Sequence, residues 1–179
     1  MHPKTKTLLV VAASNFLTIT SAQAQSDDGC MLLAQGIRPH ISSVCLTAAS
    51  NNDGAKVSLG YCVDGSPEMP NGNITWVMPD SGKTGQIKTF DGKCLDVPGG
   101  DASNGNFLQI WSCSEGNANQ LWNYAGVVEG QWAISWAGNN KCVDVRDGNY
   151  DVMNNLQIWD CDTSNHNQWW WRHDRTTGV

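Results

Sequence analysis

KCVDVRDGNYDVMNNLQIWDC, residues 141–161, sets Asp144 two places after one cysteine and Trp159 two places before the next. A carboxylate in that setting has three readings: a catalytic acid, a structural hydrogen-bonding group, or one half of a binding site completed by the tryptophan. The stretch alone leaves all three open. Residues 93–113, KCLDVPGGDASNGNFLQIWSC, align with it without a gap and share 11 of 21 positions, among them both cysteines, the aspartate and all of Leu-Gln-Ile-Trp. The register continues beyond the second cysteine, where Asn117, Asn119, Gln120 and Trp122 recur 48 residues later as Asn165, Asn167, Gln168 and Trp170. A weaker copy lies upstream. Cys45 precedes Cys94 by 49 residues, Cys62 precedes Cys113 by 51, and NITW ending at Trp76 stands where NQLW ends at Trp122.

A period of this length marks one supersecondary unit repeated, with copies that share a core. The copies span about 30–80, 81–128 and 129–175. Within each, the elements read as short strands: CLDV and CVDV alternate, LQIW is β-prone, and QWAISWA (131–137) sets Trp132, Ile134 and Trp136 on one face. Gly, Asn, Asp and Ser fill the intervals as turns require. No stretch of the mature chain holds helical apolar periodicity for three turns. One copy of short strands cannot bury its own apolar face. Trp76, Trp122 and Trp170 recur at equivalent positions and are expected to fill the common core. The expected fold is all-β, a β-trefoil of three repeats about a pseudo-threefold axis.

The start of the chain reads as a secretory signal, residues 1–24: Lys4 and Lys6, then an apolar run from Leu8 to Ala13, then Ala22-Gln23-Ala24 before Gln25. The remainder, 25–179, is an ordinary size for one domain, and no other stretch has the apolar length of a membrane span. Removing the leader leaves 9 basic and 17 acidic residues, a net charge of −8, without the clustered Lys and Arg that a nucleic-acid partner needs. Seven cysteines at regular spacing in a secreted chain form a disulfide framework. Cys45–Cys62, Cys94–Cys113 and Cys142–Cys161 pair within copies, each closing a loop worth on the order of 3 kcal/mol. Cys30 is left without a mate. No CxxC pair occurs, so neither a zinc site nor any cofactor is expected. Asn73-Ile74-Thr75 is a glycosylation sequon or simply a turn.

The Cys-x-Asp, Gln-x-Trp-x-Cys and Asn-Gln-x-Trp series resembles the ricin-B-like (R-type) lectin domains over essentially the whole mature chain. The chemistry fits independently. An ionised carboxylate accepts strong, directional bonds from adjacent sugar hydroxyls, a Trp face suits the C–H side of a pyranose, and Asn both donates and accepts. The resemblance implies two sites for galactose or N-acetylgalactosamine-type residues. Asp96, Gln109, Trp111, Asn119 and Gln120 would form one; Asp144, Gln157, Trp159, Asn167 and Gln168 the other. Gln120 and Gln168 could instead hold the carboxylate in orientation, and Gln109 and Gln157 could brace loop backbone. Copy two has Pro98-Gly99-Gly100 and lacks an acid at the position of Asp147, for which Asp101 could stand in. Copy one has Thr47 for the aspartate, and Ser58 and Gly60 for the Gln and Trp. That lobe is expected to be structural.

Two other classes compete. A glycosidase needs paired carboxyl groups about 5–10 Å apart, whereas Asp96 and Asp144 belong to different lobes and nothing pairs Asp160 or Asp162 with a raised acid. His166 and His173 lack metal spacing, and no G-x-S-x-G occurs. The chain therefore reads as a binding protein and not an enzyme. Some β-trefoils inhibit proteases through an exposed loop, a role that would not need the Asp, Trp and Asn-Gln set.

Overall fold

The computed structural model describes residues 35–39, 43–62, 67–90, 92–128 and 131–174. The expected signal peptide and Cys30 lie outside them. Thirteen strands follow in order: β1 (Gln35–Pro39), β2 (Val44–Ala48), β3 (Val57–Tyr61), β4 (Thr75–Trp76), β5 (Thr84–Gln86), β6 (Lys88–Thr89), β7 (Lys93–Asp96), β8 (Gln109–Ser112), β9 (Leu121–Val128), β10 (Gln131–Trp136), β11 (Lys141–Val145), β12 (Leu156–Asp160) and β13 (Trp170–Asp174). Strands β5 and β6 are one strand interrupted at Ile87, so each copy contributes four.

The pairing closes a barrel. β1 pairs with β4 and β13, β13 with β10, β10 with β9, and β9 with β5. A Val77–Lys88 bridge then joins the end of β4 to β6 and completes the ring of six. Closure removes the exposed edges an open sheet would leave. The remaining strands form three hairpins, β2–β3, β7–β8 and β11–β12, one per lobe. Bridges between hairpins run cyclically: Lys56 to Gln109, Phe107 to Gln157, and Asn155 back to Ser58. These residues each stand six or four places before the second cysteine of their copy. The repeat seen in sequence is thus a true threefold in space, a β-trefoil.

The core obeys the same symmetry. Leu46, Leu95 and Val143 are equivalent and fully buried, as are Leu59, Ile110 and Ile158, and Val57, Leu108 and Leu156. Trp76, Trp122 and Trp170 are the largest fully buried side chains. Each indole N–H donates to a main-chain carbonyl of its own lobe: Leu46 at 2.9 Å, Leu95 at 2.9 Å and Val143 at 3.0 Å. A buried Trp needs such a partner. These three bonds tie each lobe's last strand to its hairpin.

The three expected disulfides are present, with Cα separations of 5.0, 5.1 and 5.0 Å. Each clips the open end of its hairpin, where the first cysteine pairs opposite Gly60, Trp111 or Trp159. Of the three residues expected on one face of β10, Trp136 and Ile134 are buried, while Trp132 is half-buried and stacks on Tyr124 with ring centroids 4.8 Å apart. Asn73 bridges to Ala48, and its Oδ1 accepts the Thr75 N–H at 2.8 Å.

Candidate functional site

The hairpin alternation decides which side chains meet. In an antiparallel pair, directly opposed residues share a face, and the register sets Asp96 opposite Gln109, Asp144 opposite Gln157, and Thr47 opposite Ser58. The two aspartates are 4% and 3% exposed. Buried carboxylates require donors, and the lobes supply them. Asp144 accepts from Gln157 Nε2 at 3.0 Å, Gln168 Nε2 at 3.1 Å and Asn165 Nδ2 at 3.2 Å. Asp96 accepts from Gln109 Nε2 at 2.8 Å and Gln120 Nε2 at 3.1 Å.

Backbone fixes the orientation of the rear amides. Gln168 Oε1 accepts the Asp162 N–H at 3.0 Å, and its Nε2 also donates to the Asp160 carbonyl at 3.0 Å. Gln120 does the same with Ser114 N–H (2.9 Å) and the Ser112 carbonyl (3.1 Å). The one N–H left over on each amide points at the aspartate. An amide held this way demands an acceptor in front of it.

Two clefts result. One, of about 200 Å³, is lined by Asp144, Asp147, Gln157, Trp159, Asn165 and Asn167. The other, of about 290 Å³, is lined by Asp96, Gly99, Gln109, Trp111, Asn117 and Asn119. Both fall below the ~300–1,000 Å³ of pockets that enclose drug-sized ligands, a size suited to one ring. Trp111 and Trp159 are 44% and 42% exposed, each offering a flat apolar wall beside the carboxylate.

Eight of the ten sequence-derived site residues therefore line the clefts. Gln120 and Gln168 do not: they are buried behind the carboxylates and act through them, the bracing role left open by the sequence. Gln109 and Gln157 brace the carboxylate and face the cleft at once. The residues not selected from the sequence are Asn117, Asn165, Gly99 and Asp147. Asn117 and Asn165 carried the same 48-residue recurrence as their neighbours. Their Oδ1 atoms cap 3₁₀ turns by accepting from Asn119 N (3.1 Å) and Asn167 N (3.0 Å), which fixes the cleft-lining asparagines. Gly100 and Gly148 sit at φ 63° and 62°, and a β-carbon there would stand 2.8 and 3.1 Å from the Oδ1 of Asn119 and Asn167. Glycine is required for that approach.

Asp101 does not take the place of Asp147. Its carboxylate accepts the Ser103 N–H within its own turn at 2.9 Å, and Gly99 occupies the cleft position. The position is left-handed, φ 65° in Gly99 and 56° in Asp147, a conformation Asp tolerates better than most residues. The two clefts therefore differ by one carboxylate, which in Asp147 pairs with Arg146 at 3.2 Å.

Lobe one loses the whole assembly. Thr47 donates its hydroxyl to its own Cys45 carbonyl at 2.9 Å, Ser58 replaces the facing Gln, and Ile74, fully buried, stands where Gln120 and Gln168 brace the carboxylates. An apolar residue behind a threonine leaves no orphaned amide.

Burial pushes the Asp144 carboxyl above its ordinary value near 3.8; donation from Gln157, Gln168 and Asn165 opposes this, and the nearby Asp147 charge adds to it. The folded state thus holds this proton more tightly than the unfolded chain. The associated stability is present below pH 3.8 and lost as pH rises through the folded value. Ligand acceptance runs the other way, because a hydroxyl donor needs the ionised form. In a Trp111→Ala protein, which leaves only the third lobe's cleft complete, affinity for a hydroxyl-bearing ligand is expected to be flat at neutral pH and to fall as the Asp144 carboxyl takes up its proton in acid. Titration calorimetry across that range checks it, with constant affinity to pH 3.8 as the contrary result.

A closed trefoil with two clefts, each pairing a braced carboxylate with an aromatic wall, defines a binding domain of the lectin type. A family model described as the ricin-type β-trefoil lectin domain matches residues 28–122 and again 83–179, and the chain belongs to this family. Among solved structures it resembles ThreeFoil, a designed threefold-symmetric protein, at 23% identity and TM-score 0.69, over 79% of this chain and 98% of that one. It also resembles the C-half of the earthworm R-type lectin in complex with GalNAc (14% identity, TM-score 0.59), over 80% of this chain and 99% of that one. A third is the Polyporus squamosus lectin bound to the human-type influenza-binding epitope Neu5Acα2-6Galβ1-4GlcNAc. It matches at 19% identity and TM-score 0.63, over 79% of this chain and 48% of that one. These likenesses establish the fold, and the family establishes a carbohydrate-binding domain. No helix among the described residues is long and apolar enough to cross a membrane.

Proposed function

We propose that this chain is a secreted lectin that holds galactose or N-acetylgalactosamine-type residues of glycans in two clefts, those of lobes two and three. The observation that carries the reading is the fate of one residue set. Asp, Gln, Trp and Asn converge in two clefts, and the carboxylate, the facing Gln, the rear Gln and the Trp are all absent from lobe one. Core residues at equivalent positions stay apolar in all three lobes, so fold maintenance does not account for the loss.

The carboxylate would accept from neighbouring ring hydroxyls, the Trp would cover the apolar face of the ring, and Asn119 or Asn167 would satisfy a further hydroxyl. The amides around Asp144 all donate, a setting for an acceptor and not for an acid that must release a proton to a leaving group. Three disulfides in the described domain accord with an oxidising, extracellular location. Each cleft is shallow, and two on one rigid body raise the apparent affinity for a glycan-dense surface wherever both can engage.

A glycan array probed with the mature protein, beside a panel of protease-inhibition assays, tests the reading. Binding concentrated on glycans ending in galactose or N-acetylgalactosamine is the expected outcome. Inhibition of a protease without glycan binding, or binding indifferent to the terminal sugar, would overturn it.

A further inference from the structure

Lobe one lacks the carboxylate and the tryptophan of the other two lobes, yet it stands against the aromatic wall of the cleft in lobe two. Segment 54–57 of lobe one pairs with the strand that carries Trp111: Gly54 N donates to Ile110 O at 2.9 Å, Ile110 N to Ala55 O at 2.9 Å, and Val57 N to Leu108 O at 3.2 Å. Gly54 lies beside the ring, where a β-carbon on it would stand 3.7 Å from Trp111 Cζ3. Next to it, Asp53 pins the peptide that follows the tryptophan. Its Oδ1 accepts the Ser112 backbone N–H at 2.6 Å and Lys93 Nζ at 2.7 Å, and the Ser112 hydroxyl donates to the carboxylate at 3.0 Å.

The next junction solves the same problem with the charge moved across it. Asn104 of lobe two accepts the Asp160 N–H at 3.0 Å and Lys141 Nζ at 2.6 Å, and its Nδ2 donates to Asp160 Oδ2 at 2.9 Å. Gly105 lies beside Trp159 as Gly54 does beside Trp111, with a virtual β-carbon 3.9 Å from Cζ3. At the third junction the equivalent positions carry neither a charge nor an amide. Val152, Tyr61 and Val44 replace the Asp or Asn, the Ser or Asp, and the Lys. Met153 takes the glycine position at φ 67°, a conformation that a side chain adopts at a cost. That junction faces Gly60, where no tryptophan stands.

The polar staple thus occurs at the two junctions that have a Trp wall to hold and is missing from the one that does not. A clamp needed only to join lobes would be wanted at all three. We propose that Asp53 of lobe one is a positioning residue for the lobe-two cleft, fixing the Trp111–Ser112 backbone so that the indole stands ready for a ring beside Asp96. Asn104 has the same part for Trp159. The inference rests on the sugar-binding reading and gives lobe one a function it lacks by its own residues. Holding the wall in place before a ligand arrives removes an ordering cost from binding.

The test uses the full mature chain. Trp159→Ala silences the lobe-three cleft and Trp111→Ala the lobe-two cleft, so each can be titrated alone with N-acetylgalactosamine. Asp53→Ala is expected to weaken binding about fivefold or more in the Trp159→Ala protein and to leave the Trp111→Ala protein within about twofold. In the protein with both tryptophans, it should shift or broaden the Trp111 indole N–H resonance and leave that of Trp159 unmoved. The double change Asp53→Asn/Ser112→Asp copies the Asn104–Asp160 arrangement and should restore both readouts. An unmoved Trp111 resonance with unchanged lobe-two affinity would overturn the proposal, as would equal losses in both clefts. The resonance is read without any sugar. A protein that ignores N-acetylgalactosamine therefore counts against the lectin reading, while the Trp111 signal still decides the role of Asp53.

Discussion

Replacing Asp96 and Asp144 together with alanine is expected to abolish glycan binding while the trefoil stays folded. Each carboxylate would accept two hydroxyls, and hydrogen bonds to a charged group contribute about 1.5–3 kcal/mol each. Losing both at one cleft removes affinity by a factor of at least about a hundred, and losing both clefts removes any gain from simultaneous engagement as well. The change leaves the amides of Gln109, Gln120, Gln157 and Gln168 without their carboxylate acceptors. Stability should therefore fall, by about 1–3 kcal/mol for each buried group left unpaired. Surface plasmon resonance on immobilised galactose-terminated glycans, with circular dichroism of the same samples, separates the two effects. Trp111→Ala/Trp159→Ala attacks the same clefts from their exposed walls and guards against a variant that does not fold. A folded protein of either kind that binds as the parent does would dismiss these clefts as the sugar sites.

Trp170→Ala is expected to produce the largest loss of stability of any single tryptophan change in lobe three. Removing a fully buried Trp costs about 3–5 kcal/mol, and the Val143 carbonyl loses the indole donor that meets it at 3.0 Å. Against a total of about 5–15 kcal/mol for a typical domain, the melting temperature should drop by on the order of 10–15 °C. Trp159→Ala, eleven positions earlier on the exposed wall, should change stability by about 0.5 kcal/mol or less. Thermal denaturation of the two variants side by side checks the contrast. Equal losses would mean that Trp159 belongs to the core and not to a site.

The division between those two tryptophans was already legible in the sequence, and for a physical reason. Trp122 and Trp170 recur in all three copies, with Trp76 as the third, because a common core takes one bulky group from each lobe. Trp111 and Trp159 recur in only two, and they vanish in the copy that also lacks the aspartate. The disulfides were legible too, since short intervals between cysteines at a constant period left Cys30 alone without a counterpart.

Other assignments needed the third dimension. The rear position of Gln120 and Gln168 depends on which backbone groups receive their amides, and those groups, Ser112, Ser114, Asp160 and Asp162, become neighbours only through turns. The exclusion of Asp101 from the cleft depends on a turn that takes its carboxylate for the Ser103 N–H. Asn117 and Asn165 recurred in the sequence, yet their cleft-lining place follows from the 3₁₀ turns they cap.

What the sequence determined by itself was the repeat: how many copies, which cysteines pair, which tryptophans fill the core, and which lobe lacks the aspartate and the second tryptophan. All of these follow from the recurrence of residue types at a fixed interval along the chain. What only the tertiary structure decided was everything that crosses from one copy to the next. The staple from Asp53 to the Trp111–Ser112 backbone joins residues 59 apart in the chain, and the one from Asn104 to Asp160 joins residues 56 apart. No local rule relates them. They meet because six strands close into a barrel and bring each hairpin against the next.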